Sequence, residues 1–143
     1  MNVKTIYPSA AFSRREEIKT YAARIERETG YTIIARWLRE DFTSTDAEST
    51  EAHLVEAAQV DWEDEHAATT YVRFTDKAYF EEPFVPPSML SAARMAEFGI
   101  ALEREMRIIV VGGKQNVFDR LPQVEHVKDV DELIALLKKE GNG

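Results

Sequence analysis

The sequence predicts an α/β domain built on a parallel β-sheet of about five strands, and three observations carry that reading. Short apolar, β-branched runs alternate with longer helix-forming segments along the whole chain. The strand-like runs are mostly apolar, so both faces of the sheet must be covered, and parallel neighbours need crossover helices of the kind the intervening segments supply. With 143 residues and a hydrophobic fraction of 44%, the chain is long enough for one substantial core and too short for two ordinary ones, which makes residues 1–143 a single domain. Right-handed crossovers joining five strands give a flavodoxin-like (Rossmann-like) five-stranded parallel sheet with helices on both faces. Such sheets hold ligands outside the carboxyl ends of their strands.

The elements follow in order. Val3 to Tyr7 is β-branched and runs into Pro8-Ser9, which reads as a buried strand ending in a loop. Ser13 is a natural N-cap with Glu16 as its capping-box partner, Gly30 closes the far end, and Ile18, Tyr21, Ala22 and Ile25 form the apolar stripe of the helix between them. Tyr31 to Leu38 is a second strand. After a polar loop, an Ala-rich helix spans roughly Ala47 to Ala67, where Leu54, Ala58, Asp61 and Glu65 share one stripe and acids interrupt a face otherwise suited to burial. Thr69 to Asp76 is the third strand, and the Pro- and aromatic-rich stretch from Lys77 to Leu90 has neither helical nor strand period, as an ordered loop or lid would. Ser91 opens a helix reaching about Glu105, MRIIVVGG is a central strand stopping at Gly112-Gly113, Val124 to Val127 is a fifth strand, and Asp129 caps the last helix. The carboxyl ends of the strands then gather Tyr7 to Ser13, Asp76 to Ala92 and Gly112 to Asn116.

Composition narrows the function classes. The absence of cysteine removes disulfides, thiolate catalysis and Cys-based metal sites, and fits a reducing compartment. No stretch has the apolar length of a signal peptide or membrane helix, so a soluble, cytoplasmic protein is expected, with no membrane partner. The formal charge of -8 repels nucleic-acid backbones, so no polymeric nucleic acid is expected, although a few local Arg side chains and amides can still hold a small anion. His53, His66 and His126 are scattered without the i, i+4 His pair of a zinc helix, and neither G-x-x-x-x-G-K-[ST] nor G-x-G-x-x-G is present. No metal or cofactor is implied.

Glu97 stands on the second turn of the third helix, among apolar neighbours and close to the strand ends. A carboxylate there can attack an anomeric carbon and form a covalent sugar ester, since displacement at that carbon needs a nucleophile that tolerates an oxocarbenium-like transition state. On these residues alone, a solvated helix carboxylate is an equally open reading. Ser91 either caps its helix or contacts a phosphate through a helix N-terminus, and Arg14 and Arg15 either reach a phosphate or lie on an exposed helix face.

Four segments together carry a resemblance: IYPSAAFSRREEI, IIARWL, D-W-E-D-E-H-A-A, and SAARMAEFGIALEREMRIIVVGGKQNVFDRLPQVEHV. Spread over nearly the whole chain, they resemble the nucleoside 2-deoxyribosyltransferase family, including its short phage and bacterial members and the related 2'-deoxynucleoside 5'-monophosphate N-glycosidases. The most specific portion is the coupled set E-F-G-I-A-L, an apolar strand, G-G-x-x-N-V-F and L-P-x-V.

The resemblance implies that Glu97 is the nucleophile, that Tyr7 orients it, and that Asp61 handles the proton on the base or sugar while Asp64 supports the helix behind it. It implies that Ser91 contacts a 5'-phosphate where transferases acting on free nucleosides carry an aspartate, and that Asn116 reaches a neighbouring subunit's sugar site, so that a homodimer or higher homo-oligomer with shared sites is expected. Arg94, Gly112 and Gly113 lie in the matched segments and join Ser91, Arg14, Arg15, Asp64 and Asn116 as substrate-binding candidates. The expected activity is cleavage of the N-glycosidic bond of a deoxynucleoside or its monophosphate, resolved by water or by a second base. Ala92-Ala93 departs from the Gly-Gly of many short relatives, which narrows or alters the pocket and leaves open a catalytically silent nucleotide-binding or sensor module on the same fold.

Overall fold

The computed structural model describes residues 4–39, 51–75 and 92–141. Five strands, β1 (Thr5–Ser9), β2 (Thr32–Ile33), β3 (Thr70–Phe74), β4 (Arg107–Val111) and β5 (Val124–Val127), form one sheet in the order β2-β1-β3-β4-β5. Every neighbouring pair is parallel. Four helices connect and cover them: α1 (Arg15–Thr29), α2 (Glu51–Ala67), α3 (Ala92–Glu103) and α4 (Val130–Gly141). This is the flavodoxin-like order expected from the alternation of elements. None of the described helices is long and apolar enough to cross a membrane.

The sheet is covered on both faces because its strands are buried along their length. Every residue of β1 and β3 is buried, as are Ile108, Ile109, Val110 and Val111 of β4. α1 contributes Ile18, Ala22 and Ile25 to the core and α4 contributes Leu133, Ile134 and Leu137. These two helices pack together on the face that carries Phe74, against which the Tyr21 ring stacks at 5.8 Å. The opposite face, where register aligns Tyr7 with Tyr71 and Ser9 with Arg73, meets α2 and α3.

Several boundaries differ from those expected, each for a local reason. β1 runs on through Pro8 to Ser9 instead of stopping at Tyr7. A proline fits here because β2 has already ended: the Ile6 carbonyl accepts from Ile34 N at 2.8 Å on that side, and two residues on the same side faces Trp37, whose Nε1 donates to the Pro8 carbonyl at 3.0 Å. β2 is only Thr32–Ile33, since the chain turns into a 3-10 helix at Arg36–Arg39 that buries Trp37 and Leu38. Ser13 does not cap α1. It lies inside a 3-10 turn, Phe12–Arg14, the position before α1 is Arg14 with no side-chain cap, and Glu16 is turned to Lys19 at 3.3 Å and to Arg15 at 3.7 Å.

Other signals hold. Gly30 ends α1 in the left-handed conformation at φ 79, where a residue without Cβ is favoured. Asp129 accepts from Glu132 N at 2.9 Å at the start of α4. Ser91, Asp76 and the expected loop from Lys77 to Leu90 lie outside the described residues, as do residues 47–50 of the expected second helix.

Candidate active site

Alternate residues of a strand project to the same side, so β1 presents Tyr7 and Ser9 together at its carboxyl end. α3 crosses in front of them and turns Glu97 back onto the sheet. The Tyr7 hydroxyl donates to Glu97 Oε2, and Ser9 Oγ donates to Oε1 at 2.9 Å. With a donor on each oxygen, the carboxylate has a fixed plane and direction.

The donors are themselves braced. The Tyr7 ring stacks on Tyr71 with centroids 6.4 Å apart, and Tyr71 stacks on Phe98 at 6.2 Å and 5°. Tyr71 also donates to the Arg94 carbonyl at 3.3 Å, which ties the strand to the turn of α3 just before Glu97. This stack leaves the phenol of Tyr7 little freedom to follow any other acceptor.

Burial pushes the Glu97 carboxyl above its ordinary range, while the Tyr7 and Ser9 hydroxyls and the charge of Arg94 act against that rise by favouring the ionised form. Burial, followed by the Glu97 charge, drives the Tyr7 phenol far above its usual value, so Tyr7 stays a proton-bearing donor throughout the physiological range.

α2 brings two further carboxyls to this centre. Asp61 is half-buried and Glu65, one turn later, is 1% exposed; both lie within electrostatic reach of Tyr7. Burial, then the nearby Glu97 charge, pushes the Glu65 carboxyl up to about 8, so it carries its proton at neutral pH. Tyr7, Ser9, Asp61, Glu65 and Glu97 thus come from three elements to one place, where a fixed carboxylate faces proton-holding groups. Chemically, that arrangement offers a nucleophile with a proton source beside it.

The remaining candidates occupy varied positions. Asp64 is buried and accepts from Arg36 N at 2.7 Å and Nε at 3.0 Å, which fastens the 3-10 turn after β2 to α2. Arg94 is buried on α3 and acts electrostatically on Glu97. Arg14 is occupied by Glu17, at 3.0 and 2.8 Å, and by the Thr75 carbonyl at 2.9 Å, while the Arg15 guanidinium lies 5.1 Å over the Phe12 ring. Gly112, at φ 114, donates to the Val127 carbonyl, and the Gly113 carbonyl accepts from Thr75 Oγ1 at 2.6 Å. Asn116 caps the 3-10 helix Val117–Arg120 with its Oδ1 and points Nδ2 at Met95 Sδ, 3.2 Å away. An apolar cleft of about 450 Å³ opens beside it, between Met95, Phe98, Gly99, Leu102 and Phe118.

Two site residues escaped the sequence. Ser9 is two positions after Tyr7 and would have shared its face had the strand been extended through Pro8. Glu65 was visible as an acid on an otherwise buried stripe, and that interruption was the signal for it.

The sheet order and the hydroxyl-held carboxylate at its carboxyl edge define an α/β domain with a candidate catalytic carboxylate. No family model matches the chain, and no curated protein matches its sequence. Among solved structures, the fold is similar to that of the CMP N-glycosidase BcmB of Clostridium botulinum, at a TM-score of 0.58 and 14% identity over 95% of this chain and 99% of that one. It is also similar to a conserved protein from Enterococcus faecalis V583, at a TM-score of 0.64 and 11% identity over 97% and 99% of the two chains. At such identities the likeness establishes a shared five-stranded α/β fold.

Proposed function

We propose that this chain cleaves the N-glycosidic bond of a 2'-deoxynucleoside or, preferentially, its 5'-monophosphate, through a covalent sugar ester on Glu97. The observation that carries this reading is the pair of hydroxyl donors, Tyr7 and Ser9, on the two oxygens of Glu97. A surface carboxylate has no need of two buried donors; a nucleophile that must present one lone pair in line with a C1'–N bond does. The likeness of the fold to a CMP N-glycosidase supports nucleotide N-glycosidic chemistry, and so does the resemblance of the E-F-G-I-A-L and G-G-x-x-N-V-F segments to the deoxyribosyltransferases.

In this mechanism ionised Glu97 attacks C1', Asp61 gives a proton to the departing base, and the bonding pair of the C1'–N bond leaves with the base. Water then opens the ester in a glycosidase, or a second base opens it in a transferase. Tyr7 and Ser9 hold the carboxylate during attack and take up part of the charge as it returns. A neighbouring structure whose title names CMP favours one variation, a ribonucleotide in place of a deoxyribonucleotide. The proposal includes assembly into a homo-oligomer through the face around Asn116, where Val117 and Phe118 are exposed at 70% and 59%.

The test is chromatography for free base after incubation with deoxy- and ribonucleosides and their monophosphates, with and without an acceptor base, beside Glu97→Ala. Base release is expected from at least one monophosphate and is expected to vanish in the variant. Release that persists at the wild-type rate in Glu97→Ala overturns the nucleophile assignment.

A further inference from the structure

We propose that Glu65 and Asp61 form a proton-sharing pair, in which Glu65 is the buried positioning member that keeps a proton available to Asp61 for the leaving base. The proposal rests on the reading of Glu97 as nucleophile and Asp61 as the group facing the base. Its geometric basis is separate. Asp61 and Glu65 stand four residues apart on α2, so their side chains project from one face one turn apart. Glu65 is 1% exposed, and neither of its carboxyl oxygens has a hydrogen-bond partner among the described residues. An ionised carboxylate enclosed without donors is strongly disfavoured, and a neutral one is not.

The groups facing Glu65 sharpen this. Tyr7 from β1, Tyr71 from β3, Glu97 from α3 and Asp61 from its own helix all interact with it electrostatically. Two of these carry or can carry negative charge, and both tyrosines are held protonated by burial first and by Glu97 next. Arg104 is the one cation acting on it, yet its Nη1 and Nη2 donate to the main-chain carbonyls of Glu65 and His66, at 3.3 and 3.2 Å. It anchors the end of α2 and leaves the Glu65 carboxyl uncompensated. Burial and the Glu97 charge accordingly place the Glu65 midpoint near 8, well above an ordinary glutamic acid.

The proton balance closes over one turnover. As the C1'–N bond breaks, the pair loses one proton to a base nitrogen through Asp61, Glu97 gains the sugar, and the base departs neutral. When water attacks C1', its hydroxyl joins the sugar, its proton returns to the pair, and Glu97 recovers its charge. A pair sharing one proton is well suited to this exchange, since neither carboxyl has to ionise fully beside Glu97 at rest.

Three measurements on the whole protein decide the matter. Carbon-13 NMR of glutamate-carboxyl-labelled protein is expected to show one Glu titrating near 8, a signal absent in Glu65→Gln. Asp61→Asn should move that midpoint down by about one pH unit, because a coupled acid neighbour has been removed. With a raised folded-state value, the Glu65 contribution to stability is full below about pH 4.3, the unfolded value, and is lost as pH rises towards about 8, so Glu65→Gln should flatten the fall in Tm across that window. In turnover, Glu65→Gln is expected to lower kcat about tenfold or more with little change in KM, and to abolish an alkaline limb near pH 8.

A Glu65 signal titrating in the ordinary range, or a midpoint unmoved by Asp61→Asn, overturns the pairing. A Glu65→Gln enzyme with wild-type kcat and an unchanged pH profile overturns its part in turnover. Because the NMR titrations need neither turnover nor a folded Glu65→Gln, they judge the pair even if no nucleotide is cleaved, whereas failure of base release bears on Glu97 alone.

Discussion

Arg73 and Asp119 form an ion pair sealed from solvent, with Nη2 2.6 Å from Oδ2 and no exposure of either side chain. The guanidinium also lies 4.7 Å over the Phe98 ring, while Asp119 accepts from the amides of Gln115 and Asn116 at 2.6 and 3.3 Å. Burial works against the Asp119 carboxylate, but Arg73 and these amides outweigh it and hold the group below its usual range. The pair therefore clamps the segment after β4 to β3, next to the residue that follows Glu97. Arg73 Nε and Nη1 and Asp119 Oδ1 have no partner among the described residues, so the bridge is incompletely satisfied and its role is to set geometry more than to add stability.

Removing one partner leaves the other charged and enclosed. Asp119→Ala is expected to lose about 3–5 kcal/mol in urea denaturation, and the double variant Arg73→Met/Asp119→Leu to recover most of it. A cost under about 1 kcal/mol for the single variant would mean that water reaches the pair.

Tyr7→Phe deletes one donor to Glu97 and keeps the ring that stacks on Tyr71. A carboxylate deprived of a donor binds its proton more tightly, so the acid limb of the rate profile should move to higher pH, in the direction that burial already pushes Glu97. We expect kcat to fall about tenfold to a hundredfold through loss of alignment, with Ser9→Ala producing the same change at smaller amplitude. An acid limb that stays in place in both variants argues against hydroxyl control of Glu97.

Trp37→Phe tests why β1 can contain a proline. The indole donates to the Pro8 carbonyl in a buried setting, and phenylalanine cannot. The orphaned carbonyl should cost about 1–3 kcal/mol by thermal or urea unfolding. If Pro8 and Trp37 also hold Ser9 in register, the Ser9-dependent part of activity will decline with it.

The sequence made some features plain and hid others for physical reasons. The sheet was legible because parallel strands buried on two faces must be apolar throughout, as in Arg-Ile-Ile-Val-Val at 107–111. Gly30 and Asp129 were legible because helix ends need a left-handed residue or a side-chain acceptor, and these types supply them. Ser13 carried the same kind of signal and was overridden, since the chain enters α1 through a 3-10 turn that leaves its hydroxyl no free amide to accept from. Pro8 concealed Ser9, because whether a strand can pass through proline depends on where its neighbour ends, which is a tertiary fact. Glu65 was seen as an interruption of a stripe, but nothing local to α2 could reveal that Tyr7, Tyr71 and Glu97 would close around it.

The hydroxyls that grip Glu97 reach it from the opposite end of the polypeptide, ninety residues earlier in the case of Tyr7. No fragment holding only one of these segments can assemble the nucleophile, and β1, wedged between two neighbours, cannot detach without opening the sheet. Nascent or partly melted molecules are thereby kept harmless to the cell's nucleotide pool, and the onset of turnover in a refolding experiment should mark the moment the last strand locks in.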